Sequence, residues 1–289
     1  MRESPPPRAG KGKADRAMTE PTSYLKATKI EHFEWLLNEV KGYLDIDPTE
    51  AVRTVKDQIQ IASHGGDPQP WNKVAELEAR WYASLVAGQP DYSVYSDSYY
   101  VCDIWACWSL YSCSSVKAIG KPATIGLDSV MDRLGTANTI LDLGCGFGFT
   151  TAALLELFPK ARVIGTNLEE SFQYDFCADL AEAKGFEIRP EAPDLKNVDL
   201  IFASEYFEHF QNSLEHVFEV ITCCRPRMLV VANGYNGHAI GHFHHYLYRG
   251  AAFPAKQTSL NFGTMMRHLG YEKQKTTIWN NRPAVWIRK

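Results

Sequence analysis

The sequence predicts an α/β protein in which a parallel sheet is covered by helices and carries a helical extension at its amino end. Three observations point there. From about residue 139 onward, short apolar strands alternate with helix-length segments, the βαβα order that forces strands to lie parallel with helices on both faces. From about 22 to 120 the apolar residues recur only at helical spacing. At 289 residues with 45% hydrophobic content, the chain can bury one large core plus an appendage.

Taken in order, residues 1–21 combine Pro5, Pro6 and Pro7 with Gly10, Gly12 and several basic side chains. Too few apolar groups offset the ordering entropy, so a disordered leader is expected, with Met1 and Met18 both candidate starts. Residues 22–120 are expected to form a helical N-terminal region. Its stripes are Phe33, Leu36, Leu37, Val40 and Leu44; then Val52, Val55 and Ile59; then Val74, Leu77, Trp81 and Leu85. Asp47-Pro48, Gly65-Gly66 with Pro68 and Pro70, and Gly88 with Pro90 mark the breaks. An apolar run with Trp105, Trp108, Leu110 and Tyr111 suits one more helix, largely buried.

Residues 121–289 should form the sheet domain. Strands are expected at 140–143, 161–165, 186–189, 198–203 and 228–232, with helices at 150–158, 171–184 and 213–222 between them. A long loop follows, then a helix over 259–269 ending at Gly270. A closing hairpin of 271–278 and 284–287 turns across Asn280-Asn281-Arg282-Pro283.

Composition narrows the classes. The formal charge of -4 hides no lysine or arginine block large enough to track a duplex, so tight non-specific nucleic-acid binding is disfavoured. No run approaches the roughly 18 consecutive apolar residues of a spanning helix, and the first residues form no apolar signal segment, so a cytoplasmic protein without membrane association is expected. Seven cysteines, at 102, 107, 113, 145, 177, 223 and 224, make no Cys-x-x-Cys pair, which argues for reduced thiols rather than a zinc ribbon. Cys145 lies in a glycine loop, where a small side chain suits the sterics and a nucleophile is the alternative.

That loop carries the chemistry. Ile140-Leu141-Asp142-Leu143 runs into Gly144-Cys145-Gly146-Phe147-Gly148 and then a helix. Absent Cβ atoms let backbone amides at the carboxyl edge of a first strand approach a ligand closely. The spacing is not the Gly-x-Gly-x-x-Gly of dinucleotide enzymes, which counts against an NAD-dependent oxidoreductase. Residues 139–287 resemble class I S-adenosylmethionine-dependent methyltransferases, and this loop resembles that family's first motif. The resemblance implies a seven-stranded Rossmann-like methyltransferase sheet with an antiparallel last strand and S-adenosylmethionine as cofactor. The implied cofactor-binding residues are Asp142 near the donor's amino group, Gly144, Cys145, Gly146, Gly148, Asn167 and Ser204. Asn167 stands where the family usually has a carboxylate on the ribose, and Glu169 competes for that role.

The run from Val198 to His209 resembles the family's fourth strand and the loop that faces the methyl donor. Glu205-x-x-Glu208-His209 matches a metal-binding pattern of small-RNA 3′-terminal 2′-O-methyltransferases and ubiquinone-pathway O-methyltransferases, which use a divalent ion, usually Mg. The resemblance implies Glu208 and His209 as catalytic residues and Glu205, Glu208, His209 and one later histidine as metal ligands. His244 is the choice among His238, His242, His244 and His245. The other reading leaves Glu208 and His209 packing or acting as a base without metal. Asn233 to His238 reads as a polar substrate loop. No Asp/Asn/Ser-Pro-Pro-Tyr/Phe box and no Pro-Cys dipeptide occur, which counts against DNA amino- and cytosine C5-methylation. The expected activity is O- or N-methylation of a small molecule, with an RNA 2′-O acceptor or a non-catalytic cofactor-binding subunit as alternatives. The N-terminal region is expected to act as a lid or substrate region over the site.

Overall fold

The computed structural model describes residues 42–45, 69–95, 102–119, 134, 136–169, 171–190, 195–274 and 284–289. The expected leader, the stripe through Val52–Ile59 and the tip of the closing hairpin lie outside them. The elements are α1 (Gln69–Val86), α2 (Cys102–Ile119), β1 (Thr139–Leu143), α3 (Phe149–Leu157), β2 (Arg162–Thr166), α4 (Phe172–Lys184), β3 (Glu187–Arg189), β4 (Leu200–Ser204), α5 (Ser213–Cys224), β5 (Met228–Ala232), β6 (His245–Tyr248), β7 (Ala251–Pro254), α6 (Ala255–His268), β8 (Tyr271–Lys273) and β9 (Ala284–Arg288). Seven strands form one sheet in the order β3-β2-β1-β4-β5-β9-β8.

The strands β1 to β5 are parallel, with Leu141 level with Ile164 and Ile201, while β9 runs antiparallel to β5. Strand alternation divides the core. Ile140, Val163, Leu200 and Phe202 face an apolar layer with Leu110, Cys113, Phe149 and Phe176 from α2, α3 and α4. Leu141, Leu143, Ile164 and Ile201 face the other layer, with Leu77, Trp81, Leu214, Val217 and Phe262 from α1, α5 and α6. The two described helices of the N-terminal region, α1 and α2, therefore thicken opposite faces of the sheet. Of the first stripe, Tyr43–Asp45 form a single 3-10 turn. Tyr43 stacks on Phe149 at 5.5 Å, and the Tyr43 and Leu44 amides donate to Glu156 at 2.9 and 3.0 Å.

The long loop expected after β5 contains structure. Residues 245–254 form the β6–β7 hairpin, turned by Arg249 at φ 50° and Gly250 at φ 76°. Two consecutive positive-φ residues make a turn whose twist matches paired strands, and Arg-Gly is an unusual carrier of it. Helix α6 begins four residues before the expected Ser259, because its first turn is polar and adds nothing to the apolar stripe. No helix among the described residues is long and apolar enough to cross a membrane.

Candidate active site

All the chemistry-bearing residues gather at the carboxyl edge of the parallel strands, where the crossovers leave backbone groups unpaired by the sheet. The loop Gly144–Gly148 leaves β1 there. The Gly144 amide donates to Thr166 Oγ1 at 3.2 Å and the Cys145 amide to the Thr166 carbonyl at 2.8 Å, so β2 fixes the loop's height. Gly148 caps α3 at φ +83°, and a Cβ there would sit 2.7 Å from Cys177 Sγ, which is why no other residue fits.

Asp142 is 1% exposed beneath this loop, and its Oδ2 accepts from Thr150 Oγ1 at 2.6 Å and Thr151 Oγ1 at 2.7 Å. Burial raises its pKa to about 7 although both hydroxyls favour the charged form. The carboxylate clamps the first turn of α3 against β1. Asn167 is similarly engaged: its Nδ2 donates to the Gly146 carbonyl at 2.7 Å and its Oδ1 accepts from the Leu168 amide at 2.9 Å. An amide can donate to that carbonyl where the family's carboxylate could not. Glu169 is exposed one step further along the same loop. Cys145 lies buried with its Sγ 3.6 Å from that of Cys177. The neighbouring thiol and burial hold it well above the ordinary thiol range, so it is no thiolate, and its role is to fill space beside Gly165. On the outer side of the loop lies α2, with Ser109 Oγ 3.3 Å from where a Gly146 Cβ would be, and Ser112 Oγ 3.5 Å from Ser204 Oγ.

Beyond β4 the chain makes a left-handed step at Glu205, φ 50°, and a 3-10 turn over Phe207–His209. A non-glycine residue in that conformation costs on the order of 1 kcal/mol, held here by the Glu205 amide donating to the Ala232 carbonyl at 2.7 Å. Tyr206 packs its ring on Gly144 and bonds His216 Nε2 through its hydroxyl at 2.9 Å. Glu208 has no exposed surface. Its Oε1 accepts from the Gly234 amide, its backbone carbonyl accepts from Tyr246 Oη at 3.0 Å, and its Oε2 is buried without a hydrogen-bond partner. Burial, then the charge of Glu205, drives its pKa well above the carboxylate range.

Glu205, Glu208 and His242 each offer one ligand atom within 4.8 Å of the others. His242 Nδ1 lies 2.9 Å from the Gly237 carbonyl, which can only accept, so Nδ1 carries the proton and Nε2 keeps its lone pair. A histidine ligand held by a backbone carbonyl in this way has its free nitrogen preset for a cation. The structure thus draws His242, not His244, toward the two glutamates. His244 is exposed and stacks on Tyr82 at 4.7 Å, with His238 5.7 Å away, while His245 is exposed on β6. His209 does not join the cluster either. Its Nδ1 lies 2.8 Å from Tyr95 Oη and its ring meets that of His242 edge-on at 4.9 Å. Burial and then His242 lower its pKa to about 3. Sequence spacing could not separate four histidines within eight residues, and nothing in the local pattern marked Tyr95, Thr150, Thr151 or Ser112.

Residues 141–231 match the family model described as a methyltransferase domain. The chain is 33% identical over 95 residues to trans-aconitate 2-methyltransferase of Azoarcus sp. (strain BH72), covering 32% of this chain and 37% of that one. It is 35% identical over 106 residues to malonyl-(acyl-carrier protein) O-methyltransferase of Bacillus anthracis, covering 36% of this chain and 33% of that one. The matches therefore span about a third of these relatives' length. In fold, the chain is similar to an O-methyltransferase family protein from Burkholderia thailandensis, with a TM-score of 0.51 at 13% identity over 81% of this chain and 71% of that one. The glycine loop at the carboxyl edge of β1 and the strand order around it thus lie within a segment, residues 141–231, that matches a methyltransferase domain.

Proposed function

We propose that this protein transfers the methyl group of S-adenosylmethionine to an oxygen or nitrogen of a small molecule, a neutral hydroxyl being the favoured acceptor. The observation that carries this is the cluster of exposed Glu205 with buried Glu208 and His242 at the sheet edge that also holds the glycine loop and Ser204. Gly144, Cys145, Gly146 and Gly148 would cradle the donor, with Asp142 and Asn167 holding the loop's shape and Ser204 facing it. The chain's part in the reaction is to place donor and acceptor in line and to accept the hydroxyl proton. Glu208 suits the second task.

The two relatives' names specify trans-aconitate and a malonyl group as acceptors. Without a cation at this edge, the exposed Glu205 carboxylate would repel such an anion here. An uncharged hydroxyl or amine meets no such penalty, and the net charge of -4 favours a small molecule over RNA.

A metal-assisted version is favoured by the orientation of His242. Glu205, Glu208 and His242 would hold a divalent cation, which when bound lowers the pKa of a hydroxyl beside it. The imidazole in the set suits manganese or zinc better than magnesium, which prefers oxygen. Incubation with methyl-labelled S-adenosylmethionine and panels of small phenols and alcohols, carboxylic acids, amines and short RNA, each with EDTA or manganese, tests the reading by mass spectrometry. Labelled ethers and S-adenosylhomocysteine are expected, with at least a tenfold loss in Glu208→Gln. Label on RNA alone would move the assignment to nucleic acid. Donor binding without any labelled product would leave a cofactor-binding subunit.

A further inference from the structure

The N-terminal region supplies more to this edge than cover. Trp81 Nε1 of α1 donates to the His242 carbonyl at 2.7 Å, and Tyr82 Oη bridges the Ala239 carbonyl and amide at 3.3 and 3.2 Å. One turn beyond α1, Tyr92–Val94 form a 3-10 turn capped by Asp91, whose carboxylate accepts from the Ser93 amide at 3.0 Å and Ser93 Oγ at 2.6 Å. Val94 is fully buried, and this anchor aims the next side chain, Tyr95, inward.

Three separate segments meet at the Tyr95 hydroxyl. His209 Nδ1 is 2.8 Å away. Gly241, at φ +85°, passes so close that a Cβ there would lie 1.9 Å from Tyr95 Oη and 2.4 Å from His209 Nδ1. The conformation and the space both demand glycine, so the backbone of the loop that carries His242 is pressed onto the tyrosine–histidine pair. The rings of Tyr95 and His209 meet edge-on at 6.1 Å, and Trp105 of α2 flanks Tyr95 at 6.2 Å. Tyr95 and Gly241 both lie outside the residues 141–231 that match the methyltransferase model.

We propose that Tyr95 is a positioning residue that fixes the ring orientation and tautomer of His209, so that Nε2 alone faces the Glu205, Glu208 and His242 edge. The inference rests on the methyltransferase reading only for what that edge does; the tautomer itself does not depend on it. A neutral imidazole in water exchanges between two tautomers; a buried phenol, a good donor and a poor acceptor, donates to Nδ1 and so leaves the ring proton on Nε2. Removing the hydroxyl leaves the aromatic packing and frees both nitrogens to exchange.

The test is nitrogen-15 NMR of the imidazole rings in the full chain, labelled at histidine, with His209→Gln identifying the His209 signals among the nine histidines. The wild type is expected to give two widely separated nitrogen shifts for His209, one protonated and one not. In Tyr95→Phe these should move toward a common average while the other histidine signals hold. Averaged shifts in the wild type would overturn the proposal before any variant is made. Unchanged shifts in a folded Tyr95→Phe would overturn it as well. Tyr95→Phe is also expected to keep S-adenosylmethionine affinity within about twofold, since the hydroxyl it removes meets His209 and the Gly241 backbone. Absence of donor binding in the wild type would count against the methyltransferase reading and leave the tautomer result standing.

Discussion

Asp142 is an unusual carboxylate to build on. Its two threonine bonds favour charge, yet burial outweighs them and holds the pKa at about 7. The folded-state value lies above the unfolded one near 3.9, so its contribution to stability is full below about pH 4 and is lost as pH rises through about 7. Across that window the loss from this group is on the order of 4 kcal/mol, at about 1.4 kcal/mol for each pH unit between the two values. Asparagine keeps an oxygen for the threonines and carries no charge. Asp142→Asn is therefore expected to be more stable than wild type at pH 8 by a few kcal/mol and equal to it near pH 4, measured by urea unfolding at both. Equal stability at pH 8 would mean that burial does not penalise the carboxylate. The sequence showed Asp142 clearly and its role only partly: an acid two residues before the first glycine suggested a partner for the donor's amino group, whereas the fold first turns it onto Thr150 and Thr151. Which histidine joins Glu205 and Glu208 was not legible, because the turn at 237–242 that brings His242 inward depends on Trp81 and Tyr82, more than 150 residues earlier.

At the scale of elements, the strands and helices from β1 to β5 were readable because each is short, apolar and bounded by glycine, polar caps or turns; Ser171, for example, accepts from the Tyr174 amide at 3.2 Å to start α4. The β6–β7 hairpin was not readable, since Arg249-Gly250 is a poor turn signature and the strand face Tyr246, Tyr248 is aromatic rather than aliphatic. Helix α1 illustrates what tertiary contacts add to a helical stripe. Trp81 is fully buried against Phe243 at 5.3 Å, and its indole satisfies a carbonyl that water cannot reach. Trp81→Phe keeps much of the ring but leaves the His242 carbonyl unpaired and a gap behind it. A loss of about 2–3 kcal/mol is expected in urea unfolding, with donor affinity retained because α1 lies on the histidine side of the edge. A loss below about 0.5 kcal/mol would show that α1 is not part of the cooperative core.

For the whole molecule, one sheet organises everything described: β1 and β2 set the glycine loop, β4 sets the acidic step, and β5 sets the loop that brings His242 back. The parallel strands with helices on both faces followed from the βαβα pattern, and the seven strands with an antiparallel β9 are what the family resemblance implied. The N-terminal region was legible only as helices. That α1 would pack beside α5 and α6, and α2 beside α3 and α4, is set by long-range packing that no local period records. The methyltransferase reading of this edge depends on the glycine loop binding S-adenosylmethionine, and calorimetric titration of the full chain with that donor tests it directly. The account predicts saturable binding of one donor per chain, displaced by S-adenosylhomocysteine. No heat of binding from a folded protein, together with no displacement in equilibrium dialysis, would contradict it.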